Sequence, residues 1–221
     1  MSGLISRVII GGGRFVDIML SSTIEKIQTA PNDVYVYEED DQRVDELQKK
    51  YSVKVGNNLV PISLAQVIVF TSETKPKENL IKNVSKLVRD GIPIISISHG
   101  WTITELEKDF PNHPIIRANN NPFAAYGEGL GIFSTGKVAK EDASAVAFTI
   151  LSLIGKAIEV PEEILESVSN LVLYEISKLS ENMSSFKANC AKAGLSEEQS
   201  KTAALQILTG MAKSLEASTS R

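Results

Sequence analysis

The chain has 221 residues, 43% of them apolar, a net charge of −4 and a single cysteine, Cys190. That length suits one good-sized domain, or a domain with a smaller appendage, and scattered Lys and Arg leave no basic footprint for nucleic acid or an anionic membrane. One cysteine excludes an internal disulfide framework. With no charged-then-apolar leader and no apolar run of bilayer length, a cytoplasmic setting and small-molecule or protein partners are expected.

The stretch Ser6-Arg7-Val8-Ile9-Ile10-Gly11-Gly12-Gly13-Arg14-Phe15-Val16 is a β-branched run that breaks into glycines and reopens as a helical pattern through Ile18, Met19 and Leu20. It predicts strand, tight turn and helix, the first unit of a nucleotide-binding α/β fold. Gly11 can take the turn's unusual dihedrals. Gly13 has no Cβ to hold a pyrophosphate away from the amides at the helix N-terminus, where the dipole favours negative charge. Val16 stands where the G-x-G-x-x-G fingerprint has its third small residue, so the match is partial and a plain glycine turn stays open.

Pro31-Asn32-Asp33 marks a turn before Val34-Tyr35-Val36-Tyr37, a second strand ending in Glu38, Glu39, Asp40 and Asp41. An acid at this tip accepts hydrogen bonds from ribose hydroxyls, and Glu38 lies at about the expected distance from the glycines. A cluster of carboxylates repels a 2′-phosphate and favours NAD over NADP, unless Arg43 turns toward the site. The same acids would also favour the first turn of a helix over residues 42–50.

Residues 64–70 form a continuous apolar run suited to a strand covered on both faces, left by a loop at 71–76. A helix is predicted over 78–89 and another buried strand over 92–98, running into His99-Gly100-Trp101. Alternation of this kind predicts a Rossmann-type doubly wound parallel sheet with its ligand outside the carboxyl ends of the strands. The loops at 11–15, 38–41, 71–76 and 99–100 should then share one crevice. Pro114-Ile115-Ile116-Arg117 is a further strand, and Asn119-Asn120-Asn121 beyond it can serve a polar ring or a solvated loop. Gly131-Ile132-Phe133-Ser134 is expected as a last edge strand, followed by a helix over 140–154 ended by Gly155. His99 is the one titratable side chain at the expected hydride site, where an imidazole could donate a proton; a structural role is the alternative.

From Pro161 the texture changes. Ile164, Val168, Leu171, Val172, Ile176, Leu179, Met183 and Phe186 recur at helical spacing; Gly194 stops that helix, and Ser196-Glu197-Glu198-Gln199 opens another. Two helices cannot enclose a core, so a second copy of the chain is the simplest cover. The expected domains are residues 1–156, dinucleotide-binding, and 157–221, a small all-helical dimerisation domain.

The order of these motifs resembles the pyrroline-5-carboxylate reductases. Ile10-Gly11-Gly12-Gly13-Arg14-Phe15 is similar to that family's I-G-x-G-N-M, and Ser96-Ile97-Ser98-His99-Gly100 to its S-I-A-A-G. Arg117, Asn121, Ala124, Gly127, Glu128 and Gly129 match R-V-M-P-N-T-P-A-x-V-G-E-G. Ala193-Gly194-Leu195-Ser196 and Gly210-Met211-Ala212-Lys213 look like its dimerisation helices. The resemblance implies a homodimeric reductase that moves hydride from NAD or NADP to a cyclic imine, chemistry that needs no triad or metal cluster because the cofactor carries the hydride. It further implies that Gly11, Gly13, Arg14 and Phe15 hold the pyrophosphate, that Thr71 and Ser72 line the nicotinamide side, and that Asn121 faces the nicotinamide end. Departures fall on the substrate side: residues 170–174 replace G-S-G-P-A-Y, Glu73-Thr74 or Lys75-Pro76 stands for V-K-P, and M-P-N has become Asn119-Asn120-Asn121. A non-catalytic dinucleotide-binding paralogue is therefore the alternative.

Overall fold

A computed structural model describes residues 7–11, 14–27 and 30–219. It forms two compact units, Met1–Ser169 and Asn170–Arg221.

The first unit is built on one eight-stranded sheet of order β3-β2-β1-β4-β5-β6-β7-β8. Its strands are β1 (Arg7–Ile10), β2 (Val34–Tyr37), β3 (Lys54–Gly56), β4 (Ile68–Phe70), β5 (Ile94–Ser96), β6 (Ile115–Asn119), β7 (Gly129–Thr135) and β8 (Gly155–Glu159). The first six are parallel, which requires helical crossovers: α1 (Arg14–Ile27), α2 (Asp41–Tyr51), α3 (Glu78–Leu87) and α4 (Ile103–Asp109). Both faces are covered, as the unbroken apolar runs require. Ile9, Val36, Val69, Ile95 and Ile116 point into one core with Val16, Met19 and Leu20, while Ile10, Phe70, Ile94 and Ile115 point into the other with Ile81, Val84 and Leu106.

The far end of the sheet differs from the expectation. β7 runs antiparallel to β6 and is internal, because β8 pairs parallel to it and forms the edge. The helix α5 (Lys140–Leu151) stops short of Gly155, which opens β8 instead of closing the helix. Gly155 sits at φ +150°, and a Cβ there would lie 1.8 Å from the Gly129 carbonyl oxygen. That glycine allows two backbones to touch.

Local signals fix several boundaries. Asp40 caps α2, its carboxylate accepting from the Gln42 and Arg43 amides at 2.9 and 3.2 Å. Thr102 and Glu105 form a reciprocal capping box on α4, and the Lys75 ammonium reaches Glu105 at 3.1 Å. The Thr102 backbone N–H, then the Lys75 ammonium, pull the Glu105 carboxyl down to about 2 from its ordinary 4.5. Since its pKa is lower folded than unfolded, Glu105 stabilises the fold fully above about pH 4.5, and that contribution fades as pH falls toward 2. Glu105→Ala should lower stability at pH 7 by about 1 kcal/mol, or roughly 2–4 °C in Tm. The gap from wild type, read in melts from pH 7 to pH 2.5, should narrow as the pH drops.

The helix α6 (Glu162–Lys192) begins in the first unit, where Leu165 and Ser169 are buried. Within the second unit Gly194 takes φ +93° and ends it, with the Leu195 amide donating back to the Cys190 carbonyl at 3.1 Å. Ser196 and Gln199 cap α7 (Glu197–Thr219) reciprocally, as the sequence predicts. Leu171, Leu179, Leu208, Met211 and Leu215 are exposed on these two helices. No described helix is long and apolar enough to cross a membrane.

Candidate functional site

The carboxyl ends of β1, β2 and β4 to β6 open on two small cavities that meet at Ser72. One, about 270 Å³, is lined by Gly11, Tyr37, Glu39, Leu59, Ser72, Pro76 and Lys77 among others. The other, about 140 Å³, is lined by Phe15, Thr71, Ser72, Glu73, Ile97, His99, Asn119 and Asn120. The loops after the first, second, fourth and fifth strands thus meet at one end of the sheet, where ligands of doubly wound folds lie.

Gly11 is the pivot. Its amide donates to the Tyr37 carbonyl at 3.3 Å, and the chain then turns at φ +122°. A Cβ there would meet the Ser72 backbone nitrogen at 2.9 Å and Thr71 Oγ1 at 3.1 Å. Only glycine lets β1 leave the sheet this close to the loop after β4. Thr71 Oγ1 is within 3.4 Å of the Ile10 carbonyl oxygen and 3.5 Å of that of Gly11, so the buried threonine ties the turn to β4 while also lining the smaller cavity. Gly13 lies outside the described residues, and Arg14 is described only as the first residue of α1. Val16 is fully buried in the core beneath α1, so the absent third glycine leaves the helix seated on the sheet.

At the tip of β2, one Glu38 oxygen accepts from the Glu39 and Asp40 amides at 2.9 and 3.1 Å. Tyr37 donates its hydroxyl to Glu39 at 2.8 Å; burial and then that carboxylate raise the phenol to about 12. The Arg43 guanidinium is bonded to Asp17 and Glu46.

His99 is exposed at the mouth of the smaller cavity. Its backbone is pinned, the amide donating to the Glu73 carbonyl at 3.1 Å, and Gly100 at φ +75° then turns the chain so that Trp101 is fully buried. Trp101 stacks edge-on against Phe70 at 5.1 Å and donates to Asp109 at 3.1 Å. Lys75 stands over the indole at 5.6 Å, 3.1 Å from Glu105 and 3.6 Å from Asp109. Ser72 and Ser98 share a hydroxyl–hydroxyl bond of 3.0 Å across the loops.

Asn121, expected at the nicotinamide end, caps the turn Pro122–Tyr126, its oxygen accepting from the Phe123 amide at 3.1 Å. Asn119 and Asn120 line the cavity instead. Beside them lies a polar cluster that the apolar pattern did not announce. The buried Arg117 guanidinium bonds Glu162 at 3.2 Å and also Glu166, and Asn119 Nδ2 donates to Ser169 Oγ at 3.1 Å. The alternation of Arg117 and Asn119 on one face of β6 was the available signal.

A larger cavity, about 850 Å³, lies elsewhere, between α1 and α2. Its charges satisfy one another: Asp17 bonds Arg43, Lys50 and Tyr51. Burial alone would raise the Asp17 carboxyl, but these three partners outweigh it and lower it. The crevice at the strand ends is therefore the better candidate.

No family model matches the chain. The pyrroline-5-carboxylate reductase of Synechocystis is 30% identical over 164 residues, 74% of this chain and 61% of that protein. Among solved structures, a pyrroline-5-carboxylate reductase from Coxiella burnetii superposes with a TM-score of 0.80 at 21% identity, covering 96% of this chain and 79% of that one. The Plasmodium falciparum pyrroline carboxylate reductase, solved with NADP bound, gives 0.75 at 18% identity with the same coverage, 96% and 79%. The chain is thus similar in sequence to pyrroline-5-carboxylate reductases and shares their fold. It spans about three fifths of the length of the first curated relatives it matches, 61% and 58%.

Proposed function

We propose that the protein is an NAD(P)-dependent reductase of the pyrroline-5-carboxylate reductase type, acting on a C=N bond of a small imine. The observation that carries this reading is Gly11 at φ +122°, packed against the Ser72 amide where two cavities meet at the carboxyl end of a parallel sheet. The lining suits a dinucleotide: Gly11 presents no Cβ, and the smaller cavity has buried amide atoms without a partner among the described residues. Gly11, Gly13, Arg14 and Phe15 would hold the pyrophosphate, Glu38 the adenosine ribose, and Thr71, Ser72 and the asparagine run the nicotinamide side. Arg43 faces Asp17 and Glu46, which supports NAD over NADP, against Lys77 as the one lining cation among the described residues.

The bound nicotinamide would supply hydride to the imine carbon. The chain's own part is to orient the two rings and deliver a proton to the nitrogen. His99, at the cavity mouth with its backbone fixed on Glu73, is the proposed donor. The exposed apolar face of α6 and α7 supports a homodimer through the C-terminal helices. A second reading, a dinucleotide-binding paralogue without turnover, is favoured by Asn170 to Tyr174 in place of the family's G-S-G-P-A-Y.

NADH and NADPH are titrated against Trp101 fluorescence and thermal unfolding, then oxidised with pyrroline-5-carboxylate. NADH near 100 Kd should raise stability by about 2.7 kcal/mol, or roughly 5–10 °C, with NADPH weaker. His99→Ala should leave this binding intact and lower kcat by about 100-fold or more. Absence of any dinucleotide effect overturns the reading. Binding without oxidation selects the paralogue, and unchanged turnover in His99→Ala removes His99 from the proton step.

A further inference from the structure

Asn119 is the last residue of β6, 4% exposed, and the orientation of its amide is fixed by its neighbours. The Ser169 hydroxyl has one hydrogen and donates it to the Leu165 carbonyl at 2.7 Å, so toward Asn119 it can only accept. Asn119 Nδ2 lies 3.1 Å from that oxygen and 3.4 Å from Glu166 Oε2, a second acceptor. The nitrogen end therefore faces α6. The carbonyl end is turned away from it, and Asn119 Oδ1 is buried with no partner among the described residues.

Asn120 presents the complementary atom. Its Oδ1 accepts from the Asn121 amide at 2.8 Å, which leaves Nδ2 as the free end, and that atom is also buried without a partner among the described residues. Buried amide atoms are rarely left unpaired unless a ligand or water completes them. Both residues line the cavity of about 140 Å³, close to the roughly 150 Å³ that takes one benzene ring. A six-membered ring bearing one N–H donor beside one carbonyl acceptor matches that space and that pair of atoms.

We propose that Asn119, with Asn120 beside it, reads the primary carboxamide of a nicotinamide ring: Asn119 Oδ1 accepts a carboxamide N–H, and Asn120 Nδ2 donates to its oxygen. Asn119 is thereby a specificity-determining residue at a position where the family motif has methionine, and Ser169 and Glu166 are its positioning residues. This assignment rests on the dinucleotide reading of the crevice.

The test compares the full chain's affinity for NADH with that for reduced 3-acetylpyridine adenine dinucleotide, whose methyl ketone keeps the carbonyl and lacks the N–H. Wild type should bind NADH roughly 3- to 10-fold more tightly, one hydrogen bond's worth. Asn119→Met should bring the ratio to about one, whereas a merely structural role would lower both affinities together. Ser169→Ala lies outside the cavity lining and frees the amide to turn; it should give an intermediate ratio, and it carries the comparison if Asn119→Met does not fold. Equal affinities in wild type, with water alone pairing Asn119, overturn the assignment and leave the crevice reading standing, as does a ratio that survives both substitutions. Failure of wild type to bind either dinucleotide overturns both.

Discussion

Gly11→Ala should lower Tm by roughly 5–10 °C and weaken NADH binding by more than about tenfold. Two effects add at this position. An L side chain at φ +122° is strained, which costs on the order of 1–3 kcal/mol. The new methyl would also sit 2.9 Å from the Ser72 backbone nitrogen, so β1 and the loop after β4 must part. That second displacement is what should reach function, since Ser72 lines both cavities. Gly91→Ala separates the effects: it has φ +79° but nothing within 4 Å of an added methyl, so it should show strain alone, about 1 kcal/mol, with NADH binding unchanged. Thermal melts with and without NADH on the two variants decide the matter, and a Gly11→Ala protein that binds as wild type would remove the glycine turn from the site.

The first strands of the sheet were legible because their signals are local. Val8, Ile9 and Ile10 breaking at Gly11 announce a strand and its turn, and the apolar run through Phe70 announces a strand covered on both faces. Elements too short for periodicity were not legible. β3 is Lys-Val-Gly, and α4 has seven residues whose capping box is the clearest mark of it. Gly155 was ambiguous in principle, because a glycine after an apolar helix ends that helix or admits a close backbone, and only the partner at Gly129 decides.

The same limit applies to the site. Asparagines at the end of β6 have the chemistry to serve a polar ring or a solvated loop, but which of them line the cavity depends on contacts such as that with Ser169, fifty residues later in sequence. Asn121 is occupied at a helical cap, a local role that its place before Pro122 and Phe123 allows. The sequence ends the strand at Arg117, two residues before its observed end at Asn119, and tertiary hydrogen bonds chose which asparagines line the cavity.

The double substitution Glu162→Gln with Glu166→Gln should destabilise the protein by about 3 kcal/mol, more than Arg117→Met, expected near 1 kcal/mol. The asymmetry follows from where each charge sits. The Arg117 side chain is 6% exposed, whereas Glu162 and Glu166 are 28% and 45% exposed. Its Nε has no partner among the described residues, so the two carboxylates provide the compensation for a charge held out of water. Neutralising both leaves that charge buried. Removing the guanidinium instead leaves the two part-exposed acids their contact with water and their other donors, the Ile103 amide on Glu162 and Asn119 on Glu166, and methionine can fill the space with flexible apolar atoms. Because Glu166 also holds the Asn119 amide, loss of the carboxylates should reduce discrimination against the acetylpyridine dinucleotide as well as Tm, and Arg117→Met should affect it less. Denaturant titrations of the two variants give the comparison. If Arg117→Met is the more damaging, the packing of the guanidinium against its neighbours, and not charge compensation, is what joins β6 to the first turns of α6.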